Sequence, residues 1–454
     1  MAGQTLELVF DRGTVLCRGE PPGRDLGRLP GMRWDPRVDA YRAPARFHPR
    51  IAERLRAAGV PIRDGVAAWF PPPPAAAPPE LRWYQGAALD AWTLAGERGV
   101  VVLPTGSGKT RVAVAAIAGR PRGALCMVPT RVLVEQWREA LADALGVEVG
   151  CYGGGLREAR PVTVATFESA YRHMALLGNR FELLVVDEAH HFGGGARDEA
   201  LEMSAAPRRL GLTATPPREA AGVRLAQLVG PTVFELSVAD LAGRFLAELE
   251  LVDLRLELTP RERADYEREW GTFRTVFDHF QRLAPGAAWG DFARWAARTP
   301  QGRQGLSAWR RARRLLALTE AKLEAVGRLL GRHRDARTLV FTADVEAAYR
   351  IAREHLVMPI TADIGARERR EMLAAFGEGS IRAIVSARVL NEGLDVPAAD
   401  VGIVVGGALG EREHVQRVGR LLRPAPGKTA ILYELVSRDT AEVGQSRRKR
   451  RGLG

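Results

Sequence analysis

The sequence predicts an α/β protein with two parallel-sheet domains covered by helices, a helical insertion between the two strand series, and a small α+β unit at the N-terminus. Three observations carry this. Short apolar runs alternate with helical stretches from Glu80 to about Ser237, the alternation restarts near Thr338, and a proline run sets both apart from the first seventy residues. Two sheets fit the two series better than one long sheet. At 454 residues the chain exceeds a single hydrophobic core, and about three units of ~100–200 residues are expected.

Residues 1–70 carry short strands around Leu6–Phe10 and Thr14–Cys17, then an amphipathic helix from about Pro49 to Ala58. Pro71-Pro72-Pro73-Pro74 through Pro78-Pro79 can continue neither a helix nor a central strand, so residues 71–79 read as a stiff linker. Strands at Val100–Leu103, Ala124–Val128, Thr163–Ala165, Leu183–Val186 and Arg209–Leu212 build a domain over residues 80–240. A second domain, over residues 241–454, takes its strands from Thr338–Phe341, Ala383–Val385, Val401–Val405 and Thr429–Leu432. Inside it, residues 259–318 form a helical insertion, with Trp270, Phe273, Phe277 and Phe280 at helical spacing. Trp289, Phe292, Trp295 and Trp309 follow, with Arg310, Arg311, Arg313 and Arg314 close behind. Most of these rings read as the insertion's own core. The alternative is a face of rings stacking on bases, with the arginines on phosphates.

Sixty-six Lys+Arg against 54 Asp+Glu leave a net charge of +12, which points to a polyanionic partner such as nucleic acid. Only Lys109, Lys322, Lys428 and Lys449 are lysines, so part of the arginine excess reflects coding composition rather than a partner. The cysteines Cys17, Cys126 and Cys151 cannot supply the four thiolates of an iron–sulfur cluster. Cys126 falls in an apolar run and reads as a small core residue. No basic start leads into a long apolar run and no stretch of ~18 apolar residues occurs, so no membrane contact and a cytoplasmic location are expected.

The most specific local signal is Pro104-Thr105-Gly106-Ser107-Gly108-Lys109-Thr110, which follows an apolar run and opens a helical one. In that context glycines let backbone N–H groups turn toward a phosphate at a helix N-terminus. Lys109 would reach the β- and γ-phosphates of ATP, and the Thr110 hydroxyl would hold Mg²⁺. Leu103 stands where the general phosphate-loop pattern has a glycine, so the variant here is Pro-x-x-Gly-x-Gly-Lys-Thr. Leu183-Leu184-Val185-Val186-Asp187-Glu188-Ala189-His190 supplies the matching half, an apolar strand ending in two carboxylates. Asp187 suits the Mg²⁺ shell, and Glu188 suits the group that orients and deprotonates the attacking water.

Gln85, the Lys109 loop, Pro129-Thr130-Arg131, Asp187-Glu188-Ala189-His190, Thr213-Ala214-Thr215-Pro216, Gly393-Leu394-Asp395 and Gln416-Arg417-Val418-Gly419-Arg420-Leu421-Leu422-Arg423 stand in this order along the chain. This ordered set resembles the motif series of superfamily-2 helicases, across nearly the whole sequence. The resemblance implies RecA-like folds for both parallel-sheet domains. It places Thr105, Gly106, Ser107 and Gly108 around the phosphates, Gln85 on the adenine edge, and Gly393, Asp395 and Gln416 toward the nucleotide from the second domain. Arg420 and Arg423 become arginine fingers, a role worth about 10³–10⁵ in rate. It further implies that Thr213 and Thr215, with Arg218 and Glu219, couple hydrolysis to nucleic acid. Thr130, Arg131, Thr166 and Ser386 would touch phosphates of one strand, which carry little base information.

Several stretches are similar, more narrowly, to the archaeal and bacterial XPB helicases: Ser386 through Pro397, Gly427 through Val436, the insertion in the place of that family's thumb, and residues 1–70 with Trp34 and Tyr41. This likeness implies a DNA-dependent ATPase and helicase or translocase of 3′→5′ polarity acting in DNA repair, with single-stranded or forked DNA as partner and a partner nuclease. Trp34 and Tyr41 read equally as core anchors of a small module. The family's Arg-Glu-Asp motif is Arg218-Glu219-Ala220 here, and that loss opens a second reading, a duplex translocase that unwinds little. An RNA-dependent ATPase is a third reading, and an ATP-switched binding module without turnover runs against the intact Lys109, Asp187, Glu188, Arg420 and Arg423. The Arg447-Arg448-Lys449-Arg450-Arg451 tail reads as a solvated end or an added electrostatic hold on DNA.

Overall fold

A computed structural model describes residues 5–19, 25–74, 76–119, 123–241, 248–387, 399–406 and 429–450. The chain divides into two compact units, Met1–Ser237 and Val238–Gly454. No helix among the described residues is long and apolar enough to cross a membrane.

The N-terminal module comprises β1 (Leu6–Asp11), β2 (Thr14–Arg18), β3 (Arg33–Asp35), β4 (Ala40–Pro44), α1 (His48–Ala57) and β5 (Ile62–Gly65). Its sheet runs β3-β4-β2-β1-β5, antiparallel except where α1 crosses over to set β5 parallel to β1. Arg12 and Gly13 turn the first hairpin with φ of 48° and 89°, as a two-residue loop matched to strand twist requires. Gly13 has a second reason to be glycine. A Cβ there would lie 2.5 Å from Met203, so the turn is pressed against the neighbouring domain.

That domain contains α2 (Trp83–Leu94), β6 (Arg98–Val102), α3 (Lys109–Ala118), β7 (Ala124–Val128), α4 (Arg131–Leu145), β8 (Gly150–Gly153), β9 (Leu156–Glu158), β10 (Val162–Thr166), α5 (Phe167–Leu177), β11 (Leu183–Val186), α6 (Asp198–Glu202), β12 (Arg208–Thr213), α7 (Glu219–Leu228) and β13 (Thr232–Glu235). The strand order is β13-β6-β12-β11-β7-β10-β8-β9. Every pairing is parallel except β8 with β9. β7, β10 and β11 are buried along their whole length, and β7 and β11 accordingly read as unbroken apolar runs in sequence, whereas β10 carries the buried threonines Thr163 and Thr166. The β8–β9 hairpin and β13 carry no such run, and nothing in their composition announced them.

Residues 71–74 and 76–82 form neither helix nor strand. The module they follow is nonetheless held to the first sheet domain. Asn179 donates its side-chain amide to Val66 O at 2.9 Å, Ala68 N donates to Asn179 O at 3.0 Å, and Phe70 packs on Phe181 with ring centroids 5.3 Å apart. Arg46 pairs with Glu202, and Ala205 is buried in the module's own core.

Unit two contains α8 (Val238–Leu241), β14 (Glu248–Leu256), α9 (Pro260–Leu283), α10 (Trp289–Arg298), α11 (Pro300–Ala317), α12 (Glu320–Arg332), β15 (Thr338–Thr342), α13 (Val345–His355), β16 (Met358–Ile360), α14 (Ala366–Glu378), β17 (Ala383–Ala387), β18 (Val401–Val404), β19 (Thr429–Ser437) and α15 (Ala441–Arg450). Its sheet, β14-β19-β18-β15-β17-β16, is parallel throughout the described pairings. The insertion is α9 to α11. Phe273, Phe280 and Phe292 are buried together against Trp270, Phe277, Trp295 and Trp309, which supports the core reading for most of the rings. Trp289 is the outlier, 43 % exposed, with the Trp309 ring 4.7 Å away and Arg313 over the Trp309 ring at 4.5 Å.

Lys322 of α12 is fully buried and donates to both oxygens of Glu442 at 2.8 Å and to Leu316 O at 2.6 Å. This ammonium binds the last helix, α15, to the sheet domain. Removing one partner of a buried ion pair strands the other charge, so Lys322→Met should cost about 3–5 kcal/mol. The check is urea unfolding followed by fluorescence, against Arg328→Met as an exposed control.

Candidate nucleotide-binding site

The site begins where β6 ends. Gly106 and Gly108 adopt φ of 84° and 80°, the left-handed conformation that lets the loop fold back on itself before α3 starts at Lys109. A Cβ on Gly108 would lie 2.6 Å from the Gln85 amide nitrogen, so the second glycine also admits Gln85. Gln85 is buried and engaged at both ends: Oε1 accepts from Arg82 N at 2.9 Å, and Nε2 donates to Ser107 O at 2.8 Å. Tyr84 donates its hydroxyl to the same Ser107 O at 2.7 Å, and Ser107 Oγ donates to Pro104 O at 2.7 Å. The cradle is thus shaped by α2 as much as by its own glycines.

Lys109 Nζ donates to Leu103 O and Pro104 O at 3.3 and 3.4 Å, and Thr110 is half-buried one residue on. The Thr105 hydroxyl is buried with no hydrogen-bond partner. At the end of β11, two strands away, Asp187 Oδ1 accepts from Glu188 N at 2.9 Å and Oδ2 accepts from the Trp137 indole at 3.1 Å. Burial, and then the charge of Glu188, push Asp187 above the usual carboxylate range, with Lys109 opposing. Burial raises Glu188 as well, but the close approach of His190 and the charge of Lys109 outweigh it and hold Glu188 below that range. Glu188 itself sits at φ 46°, ψ 49°, a left-handed conformation costing a non-glycine residue ~1–2 kcal/mol, which turns the chain sharply at the strand end.

His190 bridges onward. Its Nδ1 lies 3.3 Å from Glu188 Oε2 and 3.1 Å from Thr213 Oγ1, at the end of β12. Thr213 Oγ1 in turn accepts from Thr215 N at 3.2 Å. Arg218 and Glu219 follow at the start of α7, both exposed, with Ala220 exposed beside them.

The remaining predicted residues of this unit occupy the same edge. Thr130 caps α4 by accepting from Leu133 N at 3.3 Å, Arg131 is exposed, and Thr166 caps α5 by accepting from Ser169 N at 3.1 Å. In unit two, Ser386 is buried in β17 and its hydroxyl has no hydrogen-bond partner. Gly393, Asp395, Gln416, Arg420 and Arg423, and with them Arg451 of the tail, lie outside the described residues. The structure adds Trp137, Tyr84 and the bridging role of His190. Only His190 had a sequence signal, its place after Glu188; Trp137 reads in sequence as one more apolar position of α4.

The sequence matches three families: "Xeroderma pigmentosum group B helicase damage recognition domain" over residues 8–66, "Type III restriction enzyme, res subunit" over 78–218, and "Helicase conserved C-terminal domain" over 321–425. A "DNA 3'-5' translocase XPB2" of Sulfurisphaera tokodaii is 35 % identical over 432 residues, covering 93 % of this chain and 96 % of the relative. The chain belongs to the XPB family. A second XPB relative, a "DNA 3'-5' helicase XPB" of Mycobacterium tuberculosis, is 30 % identical over 82 % of this chain and 64 % of its own length. Among solved structures, the Pyrococcus furiosus Hef helicase domain aligns over 82 % of the chain and 98 % of its own length with a TM-score of 0.53 at 19 % identity. S. cerevisiae Dbp5 aligns over 82 % of the chain and 87 % of its own length with a TM-score of 0.56 at 15 % identity. These two speak for the fold alone, two RecA-like domains. Membership of the XPB family makes this chain an ATP-hydrolysing helicase or translocase.

Proposed function

We propose that this XPB-family chain couples ATP hydrolysis, with Mg²⁺, to 3′→5′ movement on DNA in repair, holding DNA mostly through phosphates. The observation that carries the proposal is positional. The Lys109 loop, Thr130, Thr166, Asp187 and Thr213 all stand at the C-terminal ends of β6, β7, β10, β11 and β12 of one parallel sheet, the edge where such sheets bind ligands.

The buried carboxylate of Asp187, the half-buried one of Glu188 and the hydroxyls of Thr105 and Thr110 are the hard oxygen donors a divalent cation would take, and a lysine resting on backbone carbonyls suits phosphate beside it. Mg²⁺, when bound, would neutralise charge on the phosphates. Asp187 and Thr110 are its proposed holders. Lys109 would bind the β- and γ-phosphates, Glu188 would orient the attacking water and take its proton, and Gln85 would stand by the adenine. Arg420 and Arg423, with Gly393, Asp395 and Gln416, are proposed to act from the second domain. His190 offers Thr213 and Thr215 a direct line to Glu188, which supports a coupling role for that pair. The Arg residues of the thumb-like insertion and the basic C-terminal tail are proposed phosphate contacts, a partner nuclease is proposed from the family likeness, and the cytoplasm is the proposed location.

Phosphate release should rise at least about tenfold with single-stranded or forked DNA and much less with RNA, and tailed duplexes should open with 3′→5′ polarity only. Stimulation by RNA equal to that by DNA would overturn the DNA assignment. Ala220, exposed where the family has an acid, favours a second reading, duplex translocation with weak unwinding. Under that reading triplex displacement proceeds while strand displacement stays near background.

A further inference from the structure

We propose that Trp137 is a positioning residue that ties the nucleic-acid end of α4 to the carboxylate of Asp187. The inference rests on the reading of Asp187 as a Mg²⁺ ligand and of Thr130 and Arg131 as strand contacts. α4 begins at its cap Thr130, and Trp137 lies seven residues on, about 10 Å along the axis. Its indole nitrogen meets Asp187 Oδ2 at 3.1 Å, both groups being buried. The other oxygen, Oδ1, is taken by Glu188 N at 2.9 Å, so the indole N–H sets which way the remaining oxygen turns. One rigid helix therefore carries the expected strand contact at its start and the donor to the metal-site carboxylate two turns later. A buried indole seeks a partner for its N–H, and here a carboxylate fills a need that a backbone carbonyl would meet as well. N–H···O bonds span about 2.7–3.2 Å and this one, at 3.1 Å, is at the long end, so a shift of α4 of a few tenths of an ångström, on engaging a strand, changes how Asp187 is held.

The test is Trp137→Phe, which keeps an aromatic ring and deletes the donor. Binding of a fluorescent ATP analogue is measured with and without Mg²⁺ and with and without single-stranded DNA, beside ATP turnover and the thermal midpoint. In the parent, DNA should tighten Mg²⁺-dependent nucleotide binding. In Trp137→Phe, folded by near-UV circular dichroism, that enhancement should vanish and half-saturation by Mg²⁺ should rise about tenfold or more, with metal-free nucleotide binding unchanged. Parent-like Mg²⁺ half-saturation and DNA enhancement in the variant would overturn the proposal. Should Trp137→Phe fail to fold, the parent and Arg131→Ala decide: the idea stands if DNA tightens Mg²⁺-dependent binding in the parent and Arg131→Ala weakens that linkage, and falls if the parent shows no linkage. Full turnover in Lys109→Ala would instead sink the underlying site assignment, which keeps the two failures apart.

Discussion

ATP turnover in Lys109→Ala falls by at least about a thousandfold, to the background of the assay, while the thermal midpoint stays within a few degrees of the parent. The size follows from what the ammonium does. A pre-placed charge at a transferring phosphate contributes about 10²–10³ on its own, and loss of phosphate binding adds to it. Lys109 also opposes the upward push on Asp187 and helps hold Glu188 down, so its removal raises both carboxylates. The Mg²⁺ site is thereby weakened together with the phosphate site. Arginine is no substitute here, because the fork of a guanidinium is wider than the compact head that the Leu103 and Pro104 carbonyls receive. In a chain with 66 basic residues and only four lysines, a lysine at this position marks that demand. Phosphate release at saturating DNA, with circular dichroism melting alongside, is the measurement, and undiminished turnover would remove the nucleotide-site assignment.

Glu188→Gln should lower turnover by about 10²–10⁴, the contribution of a positioned general base, with nucleotide affinity kept or increased. The substitution retains shape, and its amide oxygen can still face His190 Nδ1, which lies 3.3 Å from Glu188 Oε2. One negative charge beside Asp187 disappears, so Asp187 returns toward the usual carboxylate range and repulsion between the two side chains is relieved. The variant should therefore bind nucleotide and DNA yet stall. Equilibrium binding of a fluorescent nucleotide set against single-turnover hydrolysis separates the two effects. A matched loss in both would mean that Glu188 holds the site together instead of acting on water.

Both predictions concern residues that are legible in the amino-acid order itself, because the chemistry of a phosphate cradle needs glycines, a lysine and a hydroxyl in unbroken succession after a strand. The same holds for β7 and β11, whose bounds coincide with the apolar runs Ala124–Val128 and Leu183–Val186. A strand buried on both faces is apolar at most positions, and where the run is unbroken it stands out. Edge elements do not. β13, exposed at both ends and half-buried between, and β9, exposed along its length, have no such signature.

The order of motifs along the chain, their residue types and the two alternating strand series determined by themselves the fold class, the nucleotide chemistry and the XPB likeness. These depend on local backbone conformation and on side-chain chemistry, which neighbouring residues specify. Tertiary structure alone decided the rest. Trp137 is fifty positions from Asp187, and only the pairing of β7 with β11 brings α4 beside the carboxylate. His190 reaches Thr213 because β11 and β12 are neighbours. The proline run ending at Pro79 reads in sequence as a stiff linker, and only the fold shows that Asn179, Phe181, Met203 and Ala205 hold the module before it to the first sheet domain. Contacts between residues so distant in sequence are set by how layers pack, and no window of the sequence contains both partners.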